Sequence, residues 1–313
     1  MTQEPKQDIN RYKVKFLNQN QKYKIRKHIV SRGCLLASYI SYALWWIIPE
    51  SIRSIKSPIF IIGCSRSGTT LFRDMFKEHE DIANWSEAAH VLELRYYDPE
   101  IDHFKGEKDA TLFDQRRLRV LFGLSTRLRR KSRFLNKHPQ NSLRIGFIKS
   151  IFPDAKFIHL IRDGAATAYS NYAQVLRDQY RQRVSFGYFP KPEAWRTYTD
   201  LPLIEQFAHQ WVDVITHIRS TISSMGFGRD YIEVRYEEFC HDPHGILRTV
   251  DKFCELSPVK RNYERIPTSF EARNGKWKNM LCTGDKRSVE AIIGPLNSEL
   301  GYDRHLEGPP REK

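Results

Sequence analysis

The stretch Pro58–Thr70, PIFIIGCSRSGTT, constrains the fold more than any other part of the chain. Ile59–Ile62 is a short run of β-branched and aromatic residues, the pattern of a strand buried on both faces and so of a central strand in a parallel sheet. Gly63 closes the run and Gly68 follows, after which Leu71, Phe72, Met75 and Phe76 recur at helical spacing. Strand, glycine-bounded loop and helix together present backbone N–H groups and a helix N-terminus to an anion, usually a phosphate.

The loop departs in one respect from the nucleotide-binding pattern G-x-x-x-x-G-K-[ST]. Thr69 stands where that pattern has lysine, Thr70 follows it, and the loop cation is Arg66, three residues earlier. Without the lysine contact to β- and γ-phosphates, ordinary ATP or GTP hydrolysis is disfavoured. The expected ligand is a phosphate without a γ-phosphate and its magnesium. Any α/β protein can contain a glycine-bounded turn; the run Arg66-Ser67-Gly68-Thr69-Thr70 makes this one specific.

Charge points the same way. The 313 residues hold 51 Lys+Arg against 37 Asp+Glu, a formal net charge of +14, so an anionic partner is expected. Residues 1–33 contribute nine basic side chains against Glu4 and Asp8. The five cysteines, Cys34, Cys64, Cys240, Cys254 and Cys282, are scattered without a C-x-x-C pair and read as reduced thiols rather than a disulfide frame or zinc site.

Cys34–Ile48, CLLASYISYALWWII, is the apolar segment closest to a membrane sequence. As a helix it spans roughly 22 Å, short of the ~30 Å hydrocarbon core. Because only Pro49–Ser57 separates it from the central strand, a core helix is the first reading. An interfacial helix beside a basic tail and a short spanning anchor are the others. Ile82–Trp85 reads as a short strand, with Glu87 just beyond the end at which parallel α/β sheets place ligands. Arg116–Lys137 holds nine basic residues and no acid; Leu118, Leu121, Phe122, Leu124 and Leu128 suit an amphipathic helix with a solvated basic face, or one that attracts an acidic acceptor.

Ala155–Arg162 is a second buried strand; it places Arg162 at a strand end and Ser170 two turns into the next helix. An arginine there supplies a bidentate phosphate clamp, to which the serine adds a donor. A long helix over Leu203–Met225, a strand over Asp230–Tyr236 and an amphipathic helix from Asp242-Pro243 follow. The expected fold is α/β: a P-loop-like parallel β-sheet flanked by helices on both faces in a single catalytic domain over 58–313, behind a basic extension over 1–57.

Two phosphate sites on one sheet, with neither a Walker lysine nor a magnesium-holding motif, suggest a nucleotide with two separate phosphate ends, as in 3′-phosphoadenosine 5′-phosphosulfate. Over roughly residues 58–310 the chain resembles the sulfotransferase superfamily, most closely the branch containing the tyrosylprotein sulfotransferases. The resemblance implies that Arg66, Ser67, Gly68, Thr69 and Thr70 form the 5′-phosphosulfate loop and that Arg162 and Ser170 grip the 3′-phosphate. It implies Glu87 as general base, seventeen residues after Thr70, and Lys137 of Asn136-Lys137-His138-Pro139 as stabiliser of the departing sulfonate. Tyr236 would pack near the adenine, Lys276 of GKWKNML would close over the co-substrate, and Ser269 would be the counterpart of a transition-state serine. No metal is expected.

Two positions depart from that branch. Ala89 replaces an arginine that holds an acidic peptide, which weakens the case for a protein-tyrosine acceptor; Gln174 replaces a second arginine of the 3′-phosphate helix, although Arg177 lies one turn on. The expected partner is a hydroxyl-bearing acceptor (carbohydrate, lipid, small alcohol or peptide), with no nucleic acid and with peripheral membrane contact through residues 1–48. A glycan on Asn84 of the sequon Asn84-Trp85-Ser86 would block the site. That favours a cytoplasmic, membrane-associated location over a Golgi-type lumen behind a short anchor. The alternatives are a P-loop kinase acting on a small metabolite, which would require ATP and magnesium, and a non-catalytic basic protein binding nucleic acid or membrane, which would show salt-sensitive association independent of Glu87 and Arg162.

Overall fold

The apolar run Ile59–Ile62 forms β1, the third of five parallel strands in a sheet ordered β2-β3-β1-β4-β5, where β2 is Ile82–Ser86, β3 Arg133–Lys137, β4 Lys156–Ile161 and β5 Tyr231–Arg235. The computed structural model describes residues 32–86, 89–94, 101–178, 186, 189–261 and 263–302. Among the described residues two helical segments precede the sheet, α1 over residues 32–44 and α2 over Glu50–Arg53. Within it the helices are α3 (Thr69–Met75), α4 (Ala89–Leu92), α5 (Leu112–Leu128), α6 (Ile145–Ile151), α7 (Gly164–Arg177), α8 (Leu203–Met225), α9 (Tyr236–His241), α10 (Pro243–Phe253), α11 (Lys276–Met280) and α12 (Thr283–Glu299).

Alternate residues of β1 enter different cores. Phe60 and Ile62 join the side built from α5, α6, α7 and α8, whereas Ile59 and Ile61 join Phe72, Phe239, Leu247 and Val250 on the other. The sheet is therefore covered on both faces, as a continuous apolar strand requires. Aromatic stacking carries much of the larger core: the Phe122 and Phe134 rings lie 4.1 Å apart, and Trp85 meets Phe122 edge-on at 5.4 Å. Phe207, Trp211, Val214, Ile215 and Ile218 all face inward from α8, as their spacing predicts.

β3 corrects the sequence reading. The basic stretch is not one amphipathic helix: α5 ends at Leu128, and Arg133–Lys137 is a fully buried strand between β1 and β2. Nor is its basic character all solvated. Arg117 is 1% exposed and donates to Asp114 and to the carbonyl of Val91; Arg133 donates to the carbonyls of Ser57 and Cys254. Leu128, placed on the apolar face in sequence, is 82% exposed. The N-terminal helices dock on α5, where a Cβ at Gly123 would stand 2.0 Å from the Ile52 carbonyl oxygen, so the close crossing requires glycine. Among the described residues no helix is long and apolar enough to cross a membrane.

The outer part of the sheet carries a pH-sensitive element. His159 of β4 is completely buried, its Nδ1 2.7 Å from the Tyr231 hydroxyl, which donates to Glu233 at 2.6 Å. Burial, with Arg219 nearby, pushes its pKa down to about 3, against ~6.5 for an unperturbed histidine. As pH falls below the unfolded value, the unfolded chain takes up a proton that the folded chain does not, so stability declines from about pH 6.5 down to about 3 at up to ~1.4 kcal/mol per pH unit. Urea denaturation is expected to show a loss of about 2 kcal/mol from this residue between pH 7 and 5. In His159→Gln that part of the slope should vanish; an unchanged slope would remove His159 from the account.

Candidate active site

In a parallel sheet every strand delivers its last residue to the same edge. Here β3 ends at Lys137, β1 runs into the glycine-bounded loop, β4 leads to Arg162 and β5 to Tyr236. β3 and β4 flank β1, with Ile61 paired to Lys137 and Ile62 to His159, so the three cation-bearing strand ends are neighbours. They open on one cavity of about 1140 Å³. Its described lining includes Arg66, Lys137, Arg162, Arg177, Arg273 and Lys276 against the lone carboxylate Glu271. Such an excess of positive charge around a concave site selects an anion.

Small polar side chains hold the loop. The Gly63 N–H donates to Ser142 Oγ at 2.8 Å, and that hydroxyl donates back to the Gly63 carbonyl at 3.0 Å. Ser65 Oγ donates to Asn171 Oδ1 at 2.8 Å, tying the loop to α7. Arg66 sits at φ 69°, a left-handed conformation uncommon for a residue with a Cβ, and such strain persists where the surroundings enforce it. It aims the guanidinium across the loop, with Nε donating to Ser170 Oγ at 3.2 Å. Gly68 lies at φ 90°, and a Cβ there would stand 2.3 Å from the Tyr236 ring; the tyrosine packs directly on the loop. Burial pushes the Cys64 thiol up to about 12, so it stays protonated and inert.

Arg162 ties three segments together in this arrangement. Its Nε donates to Asn274 Oδ1 at 3.0 Å, Nη1 to the Arg66 carbonyl at 2.9 Å and Nη2 to the Arg273 carbonyl at 2.7 Å, while the guanidinium lies 4.6 Å from the Tyr236 ring centre. The arginine expected to clamp a phosphate also ties the 273–274 segment across the site. Glu237 reinforces that tie by accepting from Asn274 Nδ2 at 2.5 Å and from the Tyr302 hydroxyl at 3.2 Å. Arg273, Asn274 and Glu237 carry no motif of their own, and sequence reasoning missed them. Asn171 adjoins Ser170, and Ser142 follows the Asn136–Pro139 run; nearness to those motifs was their only signal.

The remaining expected residues divide into three groups. Gly68, Thr69, Thr70, Ser170, Tyr236 and Lys276 line the cavity with Arg66, Lys137 and Arg162. Ser67 is turned into the loop, its hydroxyl donating to the Cys64 carbonyl at 2.7 Å, and Ser269 is exposed just before the first lining residue of its segment, Phe270. Glu87 lies outside the described residues; the strand before it ends with Ser86 paired to Lys137. Gln174 and Arg177 line the cavity together, Arg177 Nη2 donating to Gln174 Oε1 at 3.4 Å.

Comparison with known proteins accords with this geometry. Residues 58–260 match the profile of the Sulfotransferase family. The chain is 25% identical over 303 residues to a protein-tyrosine sulfotransferase of Drosophila melanogaster, covering 80% of this chain and 52% of that protein. It is 26% identical over 190 residues to the Mycobacterium tuberculosis omega-hydroxy-beta-dihydromenaquinone-9 sulfotransferase Stf3, covering 58% of this chain and 45% of that one. The chain thus spans about half the length of these relatives. The solved sulfotransferase of Alicyclobacillus acidocaldarius shares the fold at a TM-score of 0.50 and 18% identity, over 80% of this chain and 97% of that one.

Proposed function

The chain belongs to the sulfotransferase family, and from that premise we propose that it moves a sulfuryl group from 3′-phosphoadenosine 5′-phosphosulfate to an acceptor hydroxyl. One observation carries the reading: the Arg66 loop, Lys137 and Arg162 stand at neighbouring strand ends, with Ser170 of α7 against Arg66, around a shared cationic cavity. The loop lacks the lysine a triphosphate requires, which favours a ligand without a γ-phosphate. The residues present suit the nucleotide. The tight turn at Gly68 lets the backbone approach an anion, and the Tyr236 ring beside it offers a flat face.

The nucleotide, when bound, supplies the sulfuryl group. Arg66, Ser67, Gly68, Thr69 and Thr70 form the loop for its 5′ end, while Arg162 and Ser170 receive its 3′-phosphate. Glu87 removes the acceptor proton as attack on sulfur begins. Lys137 and Arg66 stabilise the charge that develops on the sulfonate and on the oxygen bridging to the leaving nucleotide. Fixed cations aimed at developing charge are electrostatic preorganisation, and losing one donor typically costs ~10²–10³ in rate. Relatives named for protein tyrosine and for an omega-hydroxy menaquinone support a hydroxyl-bearing acceptor, and Ala89 argues against an acidic peptide.

Thermal unfolding with 3′-phosphoadenosine 5′-phosphate, ATP plus magnesium, or AMP tests the proposal. Ligand at a hundred times its Kd stabilises by ~2.7 kcal/mol, a rise of a few degrees. The bisphosphate alone should give it, and Ser170→Ala and Arg162→Ala should reduce or abolish it. A rise only with ATP and magnesium would support a kinase; no rise with any of the three would overturn the nucleotide assignment.

A further inference from the structure

Helix α1 packs on the body with the face opposite to the one its composition leads one to expect. Ser38 and Ser41 are buried, and Ser38 Oγ accepts a hydrogen bond from the buried Arg117 at 3.4 Å. Leu35, Leu36, Tyr39 and Ile40, at helical spacing, are 40–62% exposed, and Trp46 and Ile47 just beyond the helix are each 75% exposed. Six large apolar side chains thus face outward from sixteen consecutive residues, while two serines face in. Clustered exposure of this kind marks a surface that meets something apolar.

The chemistry around the patch specifies what that is. Tyr39 and Tyr42 brace against Phe113, with ring centres 5.3 and 5.2 Å away. Two arginines sit among the tryptophans: Arg53 lies 4.2 Å from the Trp45 ring centre and Arg116 lies 4.6 Å from that of Trp46. Up to and including the first two residues of the helix, residues 1–33 hold nine basic side chains and two acidic ones. Aliphatic side chains on one face, tyrosine and tryptophan beside them and cations alongside are the composition of a helix lying in the boundary of an anionic bilayer. A purely protein partner would explain the apolar stripe but would not call for the basic segment.

The patch also stands on the side of the sheet where the cavity opens. α5 runs antiparallel to β3, which follows it, so its beginning lies level with the strands' carboxyl ends; α1 packs there, on Phe113 and Arg117. Arg117 also donates to the carbonyl of Val91, shortly after β2.

We propose that the exposed face of residues 35–47 docks this protein on the surface of a lipid bilayer with anionic headgroups. The basic residues supply long-range attraction and the apolar side chains insert at the boundary. The full chain should float with vesicles of phosphatidylcholine and phosphatidylglycerol, bind pure phosphatidylcholine more weakly, and lose affinity as salt rises. The double variant Leu36→Glu, Ile40→Glu should bind the mixed vesicles roughly tenfold more weakly or worse. Both positions are exposed, so its circular dichroism and unfolding midpoint should match the parent. Equal vesicle binding by a folded variant would overturn the proposal by assigning the attraction to the basic segment alone. Absence of vesicle binding in the parent would overturn it too; a parent dimer abolished in the variant would then reassign the face to contact between two copies of this chain.

Discussion

Glu87→Ala is expected to lower turnover by roughly 10²–10⁴-fold, the usual worth of a positioned general base, while 3′-phosphoadenosine 5′-phosphate binding stays within a few-fold of the parent. Glu87 follows directly on β2, whose last residue is in register with Lys137, so the chain enters this segment beside the cation proposed to stabilise the sulfonate. A base acts on the acceptor and makes no demand on the nucleotide's phosphate ends, so rate and nucleotide affinity should separate. Glu87→Gln should fail almost as badly, because it retains shape but cannot take up the proton. Sulfuryl transfer assayed against titration of the bisphosphate gives the answer. Full activity in Glu87→Ala would discard the base assignment without touching the nucleotide site; parallel loss of rate and affinity would make Glu87 a structural residue.

The largest stability effect is expected far from the chemistry, at Asp251. This carboxylate is 1% exposed and holds the side chain of Arg261 through two hydrogen bonds, one of them 2.9 Å from Nε, and accepts a third from the Tyr263 hydroxyl at 2.8 Å. Arg261 in turn donates to the Met75 carbonyl at 2.8 Å, and its backbone bridges to His79, so one ion pair ties α10, residues 258–261, Tyr263 and the end of α3 together. Removing one partner of a buried pair leaves the other charged, desolvated and unmatched, which costs ~3–5 kcal/mol. Asp251→Ala should lower the denaturant midpoint accordingly, and Asp251→Asn, which keeps part of the hydrogen bonding, should lower it less. A loss under ~1 kcal/mol would mean that water reaches Arg261 once the carboxylate is gone.

Much of the site was legible because its signals are local. Ile59–Thr70 carries its own strand, turn and helix start, and Arg162 and Ser170 follow a run apolar enough to be read as buried without knowing its neighbours. β3 was not legible. Arg133, Asn136 and Lys137 break the apolar pattern of a central strand, and they are tolerated because distant groups satisfy them. Arg133 finds the carbonyls of Ser57 and Cys254, and Asn136 accepts from Asn141 Nδ2 at 2.7 Å. The segment over Arg273 and Asn274 likewise gains its place from Arg162 and Glu237, which lie 36 or more residues away in the chain and have no spacing that would announce the contact.

From residue order alone follow the parallel α/β class, the glycine-bounded anion loop without a Walker lysine, and the cations at two strand ends, since each depends on backbone preference and burial within a few neighbouring residues. Tertiary structure alone decided that Arg133–Lys137 is inserted between β1 and β2, which brings Lys137 to the site, and that α1 turns its serines inward and its apolar residues out. Both outcomes depend on which partners a side chain meets across the fold. A buried polar group is stable only where such a partner exists, as Arg117 provides for Ser38 on the inward face of α1.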